Sequence, residues 1–193
     1  VCNPLLHGRG IQADITVGSK AMKLDIGCGT HKQPGFTGMD SIAFEGVDVV
    51  HDVRAVPWPF ADGSVSEVYS AHFVEHLTGV ERIAFFNELH RIMARGAEAT
   101  IVCPHWSHER AYGDPTHQWP PVTTWTFFYL NAGWRRENAP HVAYTCDFDL
   151  INVSGQYDLS DAWVAQRSLE EKAVVMQRNI NCATDITARL KRR

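Results

Sequence analysis

Three carboxylates stand at matching places along the first part of the chain. Asp25 lies within Lys23-Leu24-Asp25-Ile26-Gly27-Cys28-Gly29, Asp40 ends the apolar run 36–39, and Asp52 follows the run 47–50. If those runs are strands of an open sheet, the acids gather outside its carboxyl ends, where ligands of such sheets bind. Carboxylates crowded on one rim disfavour one another unless a ligand supplies donors. A carboxylate after the second strand can accept both hydroxyls of a ribose. One after the third strand, or the backbone beside it, can accept an adenine amino group. Gly27 and Gly29 would let backbone approach such a ligand closely. The plainer alternative is a tight turn with three solvated loop acids.

A second group of chemistry-bearing residues follows. His72 and His76 come just after the fourth apolar run, and His105, His108 and His117 after the fifth. Imidazole changes charge near neutral pH, so each is a candidate general base. His72 and His117 are the favoured pair. Asp114, in the turn Gly113-Asp114-Pro115-Thr116-His117-Gln118, is placed to orient a neighbouring histidine. Glu75 with His76 has the alternative reading of a structural pair, salt-bridged to a neighbour. No metal is assigned. A runner-up puts zinc on His105, His108, His117 and Asp114 for hydrolysis, without the cysteine pair or HExxH helix that would strengthen it.

The elements that must hold these groups are short. Residues 22–26, 36–39, 47–50, 65–70 and 99–103 are apolar runs between turn signals, as buried parallel strands are. Between the last two, Thr78 and Glu81 form a capping-box pattern. Ile83, Phe86, Leu89, His90 and Met93 then recur at helical spacing, Arg91 and Arg95 suit the C-terminal end, and Gly96 closes the helix. Residues 105–141 are rich in aromatics from Trp106 to Trp134, and read as a lid and substrate wall or as a second hydrophobic core. A short helix is expected over 122–130. A strand over 144–153 should turn Phe148, Leu150 and Val153 one way. Ser168 and Glu171 cap a helix over 168–180, and residues 186–190 alternate as a final strand. Strands alternating with helices argue for an α/β sheet. Only residues 30–35 separate the glycine turn from the second strand, so the first crossover helix must be nearly absent. Residues 1–21 read as an irregular lead-in that leaves that side of the site open or covers it.

Four segments together carry a family resemblance: Leu24-Asp25-Ile26-Gly27-Cys28-Gly29, Gly38-Met39-Asp40, Pro59-Phe60-Ala61-Asp62-Gly63-Ser64-Val65, and Ser70-Ala71-His72-Phe73-Val74-Glu75-His76-Leu77. They resemble class I S-adenosylmethionine-dependent methyltransferases, the small ubiquinone-biosynthesis type most of all. Residues 87–96 are similar to the family's helix and turn before the fifth strand, with Arg95-Gly96-Ala97 where Pro-Gly-Gly is usual. The resemblance covers residues 22–104. It implies an α/β, Rossmann-like, three-layered fold with a mostly parallel sheet of seven strands, the last antiparallel. Residues 1–193 would form one domain, with a cofactor half over 22–104 and substrate-side segments and C-terminal strands over 105–193. It further implies that Asp25, Gly27, Cys28 and Gly29 line the methionine part of the cofactor. Asp40 with Ser41 would meet the ribose, Asp52 with Val53 the adenine, and His72 would face the cofactor near its methyl group. The family's usual third glycine is replaced by His31.

The remaining features set limits. A chain of 193 residues is long enough to bury a core, and a net charge of -4 gives no general pull toward nucleic acid or an anionic membrane. Five cysteines without a CxxC pair suggest neither a disulfide framework nor a thiolate zinc site, and point to a reducing cytoplasm. No apolar run is long enough to span a bilayer. The expected activity is methyl transfer from S-adenosylmethionine to a small-molecule or glycan-like acceptor, without a membrane partner. Stacking on a base stays open, but the acidic charge gives no support to a long nucleic-acid footprint. No covalent enzyme intermediate is needed, so Cys28 reads as packing or cofactor lining. Residues 168–180 could supply a homodimer face. The rivals are a non-catalytic interaction subunit of the same fold and an enzyme of this fold transferring another group.

Overall fold

The computed structural model describes residues 22–193. The lead-in read over residues 1–21, with its suggested role as a cover, lies outside the described residues. Seven strands form one sheet: β1 (Met22–Ile26), β2 (Thr37–Asp40), β3 (Val49–Val50), β4 (Val65–Ala71), β5 (Met93–Pro104), β6 (Phe148–Tyr157) and β7 (Ala183–Arg192). Their order is β3-β2-β1-β4-β5-β7-β6. The first five run parallel, and β7 is antiparallel to both β5 and β6. Leu24, Ile26, Ala99, Ile101 and Cys103 on the central strands are wholly buried, as strands covered on both faces demand. On β7, buried Ile186, Ala188 and Leu190 alternate with more exposed Thr187 and Arg189, so the two-residue period survives there.

No helix links β1 to β2. A parallel connection normally needs a longer crossover, yet the chain returns through successive tight turns closed by His31 N–H to Cys28 O and Phe36 N–H to Gln33 O. Gly27 N–H donates to Met39 O at 2.8 Å, which ties the turn directly to the neighbouring strand. The near-absence of this helix matches the short spacing in the sequence.

Helix α1 (Gly79–Ile92) begins with the expected capping box: Thr78 accepts from the Glu81 amide, and the Glu81 carboxylate accepts from Thr78 N–H at 2.7 Å. Its buried face is turned slightly from the one read in the sequence. Arg82 and Phe85 are buried where Ile83 was expected, because Arg82 reaches the carbonyls of Val74, Gln118 and Pro120. Phe85 packs on Trp58, with ring centroids 5.4 Å apart. Gly96 does not close the helix. The chain becomes extended at Met93, and Gly96, with φ of 79°, sits in the irregular start of β5, where the register to β4 shifts.

Short helices fill the later connections: α2 (Arg110–Gly113), α3 (Thr124–Phe128), α4 (Ala132–Asn138), α5 (Ala162–Ala165) and α6 (Leu169–Arg178). The capping box at Ser168 and Glu171 is present on α6. Strand β6 starts at Phe148 rather than near residue 144, because Asn87 Oδ1 takes the Thr145 and Cys146 amides at 2.8 and 3.0 Å before the ladder begins. A register shift between Leu150 and Asn152 lets Phe148, Leu150 and Val153 all pack toward the core. No described helix is long and apolar enough to cross a membrane.

Candidate active site

The carboxyl ends of β1, β2, β3 and β4 open onto one side, beside the β1–β4 pair where the strand order reverses. Gly27 follows β1 with φ of 70°, and a side chain there would overlap the Phe73 ring. Gly29, with φ of 50°, has open space where a Cβ would stand. The glycine turn therefore presents backbone rather than side chains to a hollow of about 500 Å³, lined by Asp25, Cys28, Gln33, Phe44, Tyr69 and His72 among others. Asp25 is buried and accepts the Gln33 amide at 2.7 Å. Burial raises its pKa, and Gln33 and Lys32 oppose the shift. The Cys28 thiol is held up by burial and by Asp25 and Asp40, which keeps it a thiol and fits a packing role.

A narrower hollow of about 180 Å³ continues from Gly27 along the tips of β2 and β3, lined by Asp40, Ser41, Asp52, Val53, Arg54 and Phe73 among others. Asp40 takes the Gly29 amide on Oδ2 at 2.9 Å and the Ile42 amide on Oδ1 at 3.0 Å. Asp52 is clasped by Arg54 through Nε and Nη2 at 2.8–3.1 Å, which lowers its pKa. Val53 is buried and its carbonyl accepts the Trp58 indole N–H at 2.8 Å. The loop carrying these residues is pinned to α1: Glu88 takes the Trp58 amide, and Arg91 reaches Glu88, Phe60 O, Trp58 O and Asp62. The sequence suggested only a helix-dipole role for Arg91.

His72 follows β4 with φ of 53° and donates its amide to Val102 O. It lines both the 500 Å³ hollow and a cleft of about 690 Å³ on its other side. Its Nδ1 is 3.6 Å from Glu75 Oε1 and its Nε2 is 3.9 Å from Asp185 Oδ1. Glu75 does most to raise the His72 pKa, and Asp185 adds to it, against burial and Arg110. The cleft is lined by His76, Glu109, Arg110, Asp114 and His117 as well. Asp114 accepts from Thr116, whose hydroxyl also meets His76 Nδ1 at 2.9 Å, so the histidine it reaches is His76.

The favoured catalytic and cofactor-lining residues of the sequence thus lie along three adjoining hollows: Gly27 joins the first two, and His72 joins the first to the cleft. His105 and His108 stand apart from His117. His105 Nδ1 pairs with the Ser107 hydroxyl at 2.8 Å, and His108 Nδ1 takes the Arg110 amide. The reading of Glu75 as salt-bridged to a neighbour finds its partner in His72 rather than His76, at 3.6 Å, while neither Glu75 oxygen has a hydrogen-bond partner among the described residues. Among the described residues, no Phe, Trp or Tyr lines the cleft. Phe127 joins the main core, while Trp125, Phe128 and Trp134 stack on one another near the surface. Tyr69, Arg54, Arg110 and Asp185 were not found in the sequence. Arg54, two residues after an acid at a strand end, was the one with a local signal.

No protein-family model matches the chain, and no curated protein matches it. Solved structures do. A SAM-dependent methyltransferase from Archaeoglobus fulgidus is 20% identical at a TM-score of 0.60, over 89% of this chain and 86% of its own. Geranyl diphosphate C-methyltransferase from Streptomyces coelicolor A3(2) is 14% identical at 0.53, over 90% of this chain and 74% of its own. The [4+2]-cyclase SpnF is 13% identical at 0.52, over 89% of this chain and 75% of its own. These are likenesses of fold, and with the strand order and the antiparallel β7 they give this chain the Rossmann-like fold of the class I S-adenosylmethionine-dependent methyltransferases.

Proposed function

We propose that the protein transfers a methyl group from S-adenosylmethionine to a small-molecule acceptor in the 690 Å³ cleft. The observation that carries this reading is His72, which lines both the cleft and the hollow over the glycine turn. The rim fits the cofactor chemically. Each Asp40 oxygen holds one backbone N–H and keeps acceptor capacity for a ribose hydroxyl. Gly29 has open space where a side chain would stand, so a ligand can lie against backbone there. Asp25 and Cys28 line the same hollow as Gly29, where the methionine part would lie. Asp52 would share its carboxylate between Arg54 and the adenine amino group, next to Val53 and Ser41.

S-adenosylmethionine supplies a methyl carbon already attached to a good leaving group. The protein's own tasks are then to orient the acceptor, exclude water and take up a proton. Orientation is worth up to about 7–11 kcal/mol, and a positioned base roughly 10²–10⁴-fold. His72 is the base of this reading, with Glu75 and Asp185 favouring the imidazolium that proton uptake produces. His117 and Asp114 line the acceptor's cleft, Asp114 acting through Thr116. Cys28, Cys103, Cys146 and Cys182 are buried free thiols, which supports a reducing cytoplasmic setting.

Because a cyclase shares the fold, the test must separate cofactor binding from group transfer. Calorimetry with S-adenosylmethionine and S-adenosylhomocysteine should show that both bind. Cell extracts incubated with the protein and methyl-labelled cofactor should yield one labelled product by mass spectrometry. Binding of neither compound would leave an interaction subunit of this fold. Binding without a labelled product would assign other chemistry to the cleft.

A further inference from the structure

Glu75 sits in the short 3-10 helix Val74–His76, only 5% exposed, with both carboxylate oxygens unpartnered among the described residues. A buried carboxylate without a donor is strongly disfavoured. The nearest cations do not satisfy it. His72 Nδ1 stands 3.6 Å away, beyond hydrogen-bond reach. Arg82 has its guanidinium bonded to the Val74, Gln118 and Pro120 carbonyls.

Two imidazoles stand beside Glu75. One donor atom from each of Glu75, His76 and His117 lies within 4.8 Å of the others. The segment bearing His117 is fastened to the 3-10 helix by Gln118 N–H donating to Glu75 O at 2.8 Å. Both imidazoles are oriented from behind. The Thr116 hydroxyl gives its hydrogen to Asp114 Oδ1 at 2.6 Å, so at the 2.9 Å contact with His76 Nδ1 the imidazole donates. His117 Nδ1 meets the Ala111 carbonyl at 3.3 Å, and a carbonyl can only accept. Each ring then carries its hydrogen on Nδ1 and its lone pair on Nε2. Histidines that bind metals are held by outer partners in this same way.

We propose that Glu75, His76 and His117 bind one divalent transition-metal ion, zinc or an ion of similar chemistry, with a further coordination position facing the 690 Å³ cleft that all three line. Two imidazoles and one carboxylate suit zinc and its neighbours better than magnesium or calcium, which prefer all-oxygen sets. Tetrahedral ligands about 2.0–2.2 Å from zinc lie roughly 3.4 Å from one another, so small side-chain rotations close the set. The ion would neutralise the buried Glu75 carboxylate. It would also give the cleft an electrophilic wall, suited to an acceptor that offers an anionic oxygen. The site does not depend on methyl transfer, and its test needs no substrate.

The full chain, stripped with a chelator, is titrated with Zn²⁺ against a chromophoric competitor. One equivalent should bind. Glu75→Gln, His76→Gln and His117→Gln should each weaken binding by at least about tenfold, and Thr116→Val by about tenfold through loss of orientation. His141→Gln, at an exposed residue outside the cleft, should leave it unchanged. Should the Glu75 variant fail to fold, Co²⁺ added to the wild-type chain should give visible ligand-field bands that Zn²⁺ abolishes. Absence of stoichiometric binding, absence of those bands, or binding indifferent to both His76→Gln and His117→Gln would overturn the site.

Discussion

Gly27 answers to two constraints at once. Its φ of 70° is left-handed, and a methyl group there would overlap the Phe73 ring. The conformation alone costs a non-glycine residue about 1–2 kcal/mol, so Gly27→Ala should destabilise by more than that in denaturant unfolding. The combination Gly27→Ala with Phe73→Ala should be less unstable than the sum of the two, because removing the ring relieves the overlap and leaves only the strain. Strict additivity would contradict the contact. Asp40 makes a separate prediction. Asp40→Ala should weaken S-adenosylhomocysteine binding by about 1–3 kcal/mol, the scale for losing a charged acceptor, and unchanged affinity by calorimetry would remove it from the ribose. These residues were legible because each closes a strand within one continuous stretch. Asp185 was not: it arrives beside His72 from β7, far along the chain, and nothing local marks it. Glu75 was legible only in part: an acid beside histidines suggests an ion pair, and only the fold shows that its partner is His72 at 3.6 Å and that neither oxygen is hydrogen-bonded among the described residues.

Elements were legible where local chemistry decides and obscure where a distant partner does. The capping boxes of α1 and α6 could be read directly, since every atom involved lies within four residues. The missing helix between β1 and β2 followed from chain length alone. The start of β6 did not, because a side chain from α1 holds the preceding residues. The buried face of α1 was also displaced from its sequence pattern, and Arg82 is the reason. Its guanidinium binds carbonyls of the 3-10 helix and of the segment that follows His117, so one arginine joins α1, Glu75 and His117. Burial lowers its pKa, although the charge persists at any physiological pH. Arg82→Leu would remove the guanidinium from the Gln118 and Pro120 carbonyls and leave the Val74 carbonyl with only the Leu77 amide. It should cost about 1–3 kcal/mol or more in unfolding and speed amide exchange across residues 113–121. Protection unchanged in that segment would mean that other contacts hold it.

On the scale of the whole molecule, the sheet is closed at its far end by the antiparallel pair β6 and β7, and His90 on α1 packs against it. Its ring meets Phe148 edge-on with centroids 5.3 Å apart, and Nε2 is buried without a partner. Burial first, then Arg192, depresses the His90 pKa, and Asp147 opposes the shift only in part. The unfolded chain, with histidine near about 6.5, therefore takes up a proton at a higher pH than the folded one. Between that value and the lower folded one, unfolding consumes protons, so acid favours the unfolded state. The stabilisation from keeping His90 neutral is complete above the unfolded pKa and drains away as pH falls through the folded one. Other groups titrate in the same range, so the comparison must be differential. His90→Phe retains a ring against Phe148 and cannot be protonated. Urea unfolding of both proteins from pH 7.5 to 5 should show the wild-type losing more stability than the variant across that span. Parallel curves would mean that the His90 ring reaches solvent in the folded protein, and that the junction of α1 with β6 is looser than the packing against Phe148 requires.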